Sequence, residues 1–320
     1  MKMIRKFISI AAMAAAMVSA GSCQKEPAVV ERADAKINFT LQAGNRTKAI
    51  ADATNIDILY YEVYPADVKN AARPLAEGSV RDDNGDGVFS LELSVIVDQT
   101  YNFIFWAQVD REEGKEHYDV SDLRRVGIKT YEDELSNDES RAAFFAHKSM
   151  HIDGAELVET IILNRPFAQV NIGTTTYDVP SLNLAAPLKV NRSEMKVYGL
   201  ATAFNTLTGE GEGVQDVLFQ SNITPNGEKD ASEKMLEVKD GKYYWLAMSY
   251  LIVNGNDDNV KVDATFHTTH GDINLTVDNV PLKENYRTNI IGDLLTTNAV
   301  FEIVIDERFM GEKIININNL

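Results

Sequence analysis

The chain has 320 residues, with 31 basic side chains against 48 acidic ones and a net charge of −17. Nucleic acid and anionic lipid repel so acidic a chain, and neither is expected as a partner. With a single cysteine it has no disulfide to staple it, so it must bury its own apolar core, most naturally as two domains.

Lys2, Arg5 and Lys6 precede an uncharged apolar run from Phe7 to Ala20, and small residues then lead to Cys23. This is the layout of a secretory signal peptide, assigned to residues 1–22, and the run is too short to span a bilayer. Ala20-Gly21-Ser22-Cys23 resembles the lipobox of bacterial lipoproteins, which implies that Cys23 becomes the acylated N-terminus; that pattern usually carries Leu where Ala20 stands, and ordinary cleavage is the alternative. Gln24-Lys25-Glu26-Pro27 is partly similar to a surface-export signal of Bacteroidetes lipoproteins. Residues 23–35 are polar and read as a flexible tether.

From Lys36 the pattern is that of strands. Ile37, Phe39 and Leu41 alternate with polar residues; Ile58, Tyr60 and Glu62 share one face of the next segment, with Leu59, Tyr61 and Val63 on the other; Phe89, Leu91 and Leu93 alternate again. Tyr101–Ala107 is apolar on both faces apart from Asn102, as in a central strand. Residues 110–140 are rich in acids and read as a long exposed excursion with a short helix near 119–125. A first domain, 36–165, closes on a strand at Val158–Leu163.

A second domain, 166–320, opens with a strand at Phe167–Ile172. Further strands are expected at Met195–Phe204, Leu236–Val238, Tyr243–Val253, Val260–Phe266, Ile273–Val277, Tyr286–Ile291 and Val300–Ile305. Phe39, Tyr61 and Trp106 are echoed by Val170, Tyr198 and Trp245 at similar offsets, which suggests two domains of similar strand order, chance alignment being the alternative. Each half then reads as a β-sandwich, with both tryptophans in its core.

Asp82-Asp83-Asn84-Gly85-Asp86-Gly87 matches the opening of a calcium loop, but its twelfth position is Leu93, and a tight polar hairpin turn is the better reading. His267 and His270 point to opposite strand faces and cannot share a metal; His147 and His151 share a face but have no ligand pattern around them. No Gly-rich phosphate loop follows a strand, and no G-x-S-x-G elbow is present. No catalytic residue, metal or cofactor is expected, and the chain is read as a non-enzyme.

Asn45-Arg46-Thr47-Lys48, Asp57–Tyr64, Leu163–Ile172, Tyr286–Gly292 and Phe301-Glu302-Ile303 together resemble the fimbrillin-type lipoproteins of Bacteroidales. The resemblance implies two transthyretin-like Greek-key β-sandwich domains in tandem and a subunit of a surface fimbria, held to the outer membrane by its lipid. It implies partners in the form of other fimbrial subunits, in a homo- or hetero-polymer, assembled by β-strand exchange. Arg46 stands where a trypsin-like protease would cut to release the first strand, although it also reads as a solvated loop residue. Lys313–Leu320 reads as a donor strand, a last strand or a frayed tail. The alternative function is a monomeric surface lipoprotein that binds glycan or host protein.

Overall fold

The computed structural model describes residues 34–43, 56–129, 136–175, 188–221, 235–239, 241–255, 257–296 and 299–306. Among them the regular elements are strands apart from one 3-10 turn at Glu139–Arg141, in agreement with the expected all-β sandwich class.

The first half has two layers. β1 (Asp34–Ala43) lies between β4 (Val88–Ile96), antiparallel to it, and β9 (Glu156–Leu163), parallel to it. The facing layer has the order β3 (Ala76–Arg81), β2 (Ile58–Pro65), β5 (Gln99–Gln108), β8 (Phe144–Ile152). Period-two alternation turns Ile37, Phe39 and Leu41 of β1 and Phe89, Leu91 and Leu93 of β4 inward, where they meet Leu59, Tyr61, Val63, Phe103 and Phe105 in one core. The other face of β5, with Ile104 and Trp106, belongs to a second core shared with the rest of the chain. Burial on both faces is why this strand is apolar without a break from Phe103 to Ala107.

The same order of seven strands occurs again. β10 (Phe167–Thr174) lies between β14 (Gly241–Ile252), antiparallel, and β17 (Arg287–Asp293), parallel. Facing them, β12 (Glu210–Ser221), β11 (Val190–Asn205), β15 (Asp257–Thr268) and β16 (Gly271–Lys283) stand side by side, as β3, β2, β5 and β8 do. Two strands have no counterpart among the described residues of the first half: β13 (Met235–Val238) flanks β14, and β18 (Val300–Asp306) flanks β17. Of the three echoed positions, Phe39 with Val170 and Tyr61 with Tyr198 fall on corresponding strands. Trp106 and Trp245 do not: Trp106 is on β5, which corresponds to β15, and Trp245 is on β14, which corresponds to β4. The two strands are alike in sequence because both are buried on both faces. Both tryptophans are core residues, as expected.

β11 links the layers of the second half. Gly199, at φ +72°, sits at a shift in the β11–β12 register, and beyond it the strand touches β14 through Ala201 and Ile252.

Two expectations fail in the first half. Residues 82–87 do not close a hairpin: β3 and β4 belong to different layers, and the segment crosses between them. The described residues of 110–140 are not exposed throughout, and 119–125 holds no helix. β6 (Tyr118–Asp119) and β7 (Arg125–Ile128) form a small ladder, and β7 pairs with the end of β11, carrying the connector into the second half. His117, Tyr118, Leu123, Val126, Ser136, Asn137 and Arg141 are all buried. The segment looks solvated in sequence because many of the residues it buries are polar or charged, and several of these pair with one another, as Arg111, His117, Asp138 and Ser140 do.

Candidate assembly site: the β1 channel

β1 is held from both sides along almost its whole length. It matches β4 from Asp34↔Ile96 to Gln42↔Val88 and β9 from Lys36↔Glu156 to Ala43↔Leu163. Its inward side chains are Ala35, Ile37, Phe39, Leu41 and Ala43, each at most 4% exposed. The Phe39 ring lies 5.1 Å from that of Phe103 and 5.5 Å from that of Phe105. Outward, Lys36 and Asn38 are exposed, with Lys36 making a loose surface pair to Glu92 at 3.8 Å. Burying Ile37, Phe39 and Leu41 contributes about 1.5–3 kcal/mol for each side chain. Taking β1 away would leave a channel with backbone donors and acceptors on both walls and an aromatic floor.

Cys23 and Arg46 lie outside the described residues, as do residues 313–320. In sequence, Arg46 follows the last residue of β1, Ala43, by three positions.

The remaining sequence candidates are scattered. The Asp82 carboxylate is turned back on its own backbone, accepting from the amides of Asn84 at 3.1 Å, Gly85 at 2.9 Å and Gly87 at 2.5 Å. Gly85 and Gly87 have φ near +65°, the left-handed region that turns require of glycine. His147 contacts Asn102 Oδ1 at 2.9 Å, whereas His151 contacts Thr100 Oγ1 at 3.2 Å. His267 contacts Asp272 at 2.8 Å, and His270 contacts Thr269 at 2.9 Å. Among the described residues no group of three or more His, Cys, Asp or Glu side chains could hold a metal, and no helix is long and apolar enough to cross a membrane.

The junction between the halves is a site that sequence reasoning missed. Trp106 packs edge-on against Tyr118 at 5.3 Å and Phe167 at 6.3 Å, which ties β5, the connector and β10 together. Asn137 acts as a polar pin: its Nδ2 donates to Ser193 Oγ at 2.9 Å, and its Oδ1 accepts from the Met248 amide at 2.8 Å. Arg111 donates to Ser140 Oγ at 2.7 Å and to Asp138 Oδ2 at 3.2 Å, and His117 joins the same knot through Ser140 Oγ at 2.8 Å. Burial lowers the His117 pKa. Burial alone would raise Asp138, but hydrogen bonds from His117 and Ser140 outweigh it and hold the carboxyl well below its usual range. Burial raises Glu62, which accepts from Tyr64 Oη and the Leu123 amide, both at 2.9 Å.

A pH dependence follows. With the His117 pKa depressed, the unfolded chain binds more protons than the folded one just below pH 6.5, so His117 contributes stability that is present above pH 6.5 and lost as pH falls toward its folded pKa. Asp138 acts in the same direction at lower pH, from its ordinary value of 3.8 downward, and the raised Glu62 opposes both. Urea midpoints should fall between pH 7.5 and 5.5, and His117→Gln should reduce that fall.

A cleft of about 430 Å³ opens beside the junction, between Phe145–Lys148 of β8, Thr160–Ile162 of β9 and the turn at Thr206–Gly209.

The model of a family described as a family of unknown function matches residues 27–319. The chain belongs to this family, DUF6562. No curated protein matches it. Among solved structures, this family member is similar to a candidate adhesin from Bacteroides ovatus, at 11% identity and a TM-score of 0.50, over 89% of this chain and 99% of the other. It is also similar to a fimbrial assembly protein from Parabacteroides distasonis, at 12% identity and a TM-score of 0.46, over 86% and 100% of the two chains. The tip fimbrial protein Mfa3 from Porphyromonas gingivalis, with a C-terminal truncation, matches at 10% identity and a TM-score of 0.43, over 85% and 99%. At these identities the likeness is one of fold. The neighbours are fimbrial and adhesin-like proteins of the kind that the sequence resemblance named.

Proposed function

We propose that this DUF6562 protein is a structural or adhesive subunit of a cell-surface fimbria and assembles with other subunits by β-strand exchange. In this reading residues 1–22 are a lipoprotein signal peptide, acylated Cys23 anchors the chain in the outer membrane, and residues 36–165 and 166–320 are two β-sandwich domains. Cleavage after Arg46 frees β1, and a strand from a neighbouring subunit takes its place. The observation that carries the proposal is the position of β1: central in its sheet, paired on both sides, and filling the core with one alternating row of side chains. A replacement strand satisfies both walls and the floor at once, with the main chain supplying affinity and alternate side chains supplying specificity.

Trypsin treatment of the mature protein, followed by N-terminal sequencing and a denaturing gel, tests it. The expected result is a new N-terminus at Thr47 and a ladder of oligomers. Cleavage at Arg46 with no ladder, together with binding of glycan by the monomer, would favour the monomeric surface lipoprotein.

A further inference from the structure

The two halves share one strand order, but their parallel strands end differently. In the second half the outer edge of β17 is covered by β18, antiparallel, from Arg287↔Asp306 to Asp293↔Val300. The corresponding strand of the first half is β9, and among the described residues its outer edge carries no strand. Two other edge strands carry devices that β9 lacks: β16 contains Pro281 and a register shift, and β3 has only six residues and includes Gly78; β4 and β18, like β9, contain neither proline nor glycine. β9 reads Glu-Leu-Val-Glu-Thr-Ile-Ile-Leu, with no proline or lysine, and leaves Val158 at 78% and Ile162 at 45% exposure. A β-branched edge of this kind is a template for pairing. This edge is distinct from the β1 channel, whose wall is the opposite side of the same strand.

Charge selects the occupant. β9 carries Glu156 and Glu159 and no basic residue. A second copy of a chain with net charge −17 would meet it with repulsion. We infer that the outer edge of β9 takes an antiparallel extended segment of a partner protein, with β-branched or aromatic residues at alternate positions and lysine or arginine opposite Glu156 and Glu159. The intramolecular β17–β18 pair supplies the geometry, since β18 itself reads Val-Phe-Glu-Ile-Val-Ile-Asp. Main-chain bonds would provide the register, the apolar row would cover Val158 and Ile162, and the cations would set the choice of partner.

The probe is a synthetic peptide of residues 299–306 carrying Glu302→Lys and Ile305→Lys, which an antiparallel register can set opposite Glu159 and Glu156, added to the full mature chain and read by amide hydrogen exchange. The expected result is at least about ten-fold slower exchange within residues 156–163 and no change in β4, with binding that weakens as salt rises. The unsubstituted acidic peptide should bind at least about ten-fold more weakly, and the protein variant Val158→Lys/Ile162→Lys should lose the protection. Both side chains are well exposed, so the variant should fold, which its melting temperature checks. Equal binding of the two peptides, no protection of β9, or self-association of the peptide-free protein that the double variant abolishes would overturn the inference; the last outcome would identify a second copy as the occupant. Because the uncleaved protein is used, failure here leaves the strand-exchange proposal standing, and failure of strand exchange leaves this one standing.

Discussion

Replacing Phe39 by alanine is expected to destabilise the protein by about 3–5 kcal/mol, the range for truncating a buried phenylalanine. The ring is 1% exposed and rests on Phe103 and Phe105, so the cavity would open in the middle of the first core, where the flanking strands have little freedom to close it. Asn38→Ala, one residue away on the exposed face, should change stability by no more than about 0.5 kcal/mol. Urea unfolding of both variants separates a core-filling strand from a merely surface-laid one. The same pair also bears on assembly: a donor strand with alanine at the Phe39 position should compete poorly for the channel, whereas changes on the outward face should be tolerated.

Trp106→Ala carries a comparable expected loss, about 3–5 kcal/mol, for a different reason. Trp106 is fully buried where β5, the connector and β10 meet, and its Nε1 donates to Gln108 Oε1 at 2.8 Å. Without the indole, Tyr118 and Phe167 lose a shared neighbour, and the connector should loosen before either half unfolds. Arg124 and Arg125 lie in that connector beside the ladder to β11, so limited trypsin digestion should cut there in Trp106→Ala under native conditions but not in the parent chain. Trp245 becomes the only tryptophan in this variant, so its fluorescence follows the second half alone.

Sequence legibility followed how each strand meets water. β1 and β4 have one wet face and one dry face, and their alternation is plain in the residues. β5, dry on both faces, is readable as an apolar run broken only by Asn102. β3 and β12 were not expected at all: both are edge strands rich in Glu and Gly, and β12 buries little beyond Phe219 and Ser221. The connector was misjudged for the opposite reason. Its buried residues mix the polar His117, Ser136, Asn137 and Arg141 with Tyr118, Leu123 and Val126, and so mixed a set leaves no clear hydrophobic period to detect. Residues 82–87 announced a turn through their glycines, but nothing local distinguishes a turn within a sheet from one that crosses between layers. The β1 channel was legible only in part. Alternation showed that the first strand is half buried; its central place between β4 and β9 depends on long-range pairing that no local pattern records. The open edge of β9 stands out only against its counterpart β17, whose outer edge β18 covers.

Strand exchange makes a direct demand on mass. Protein cut after Arg46 and freed of β1 should form oligomers in analytical ultracentrifugation, and excess synthetic peptide of residues 34–43 should return it to monomers by filling the channel. Oligomers that persist in saturating peptide, or a cut protein that stays monomeric without it, would contradict the account.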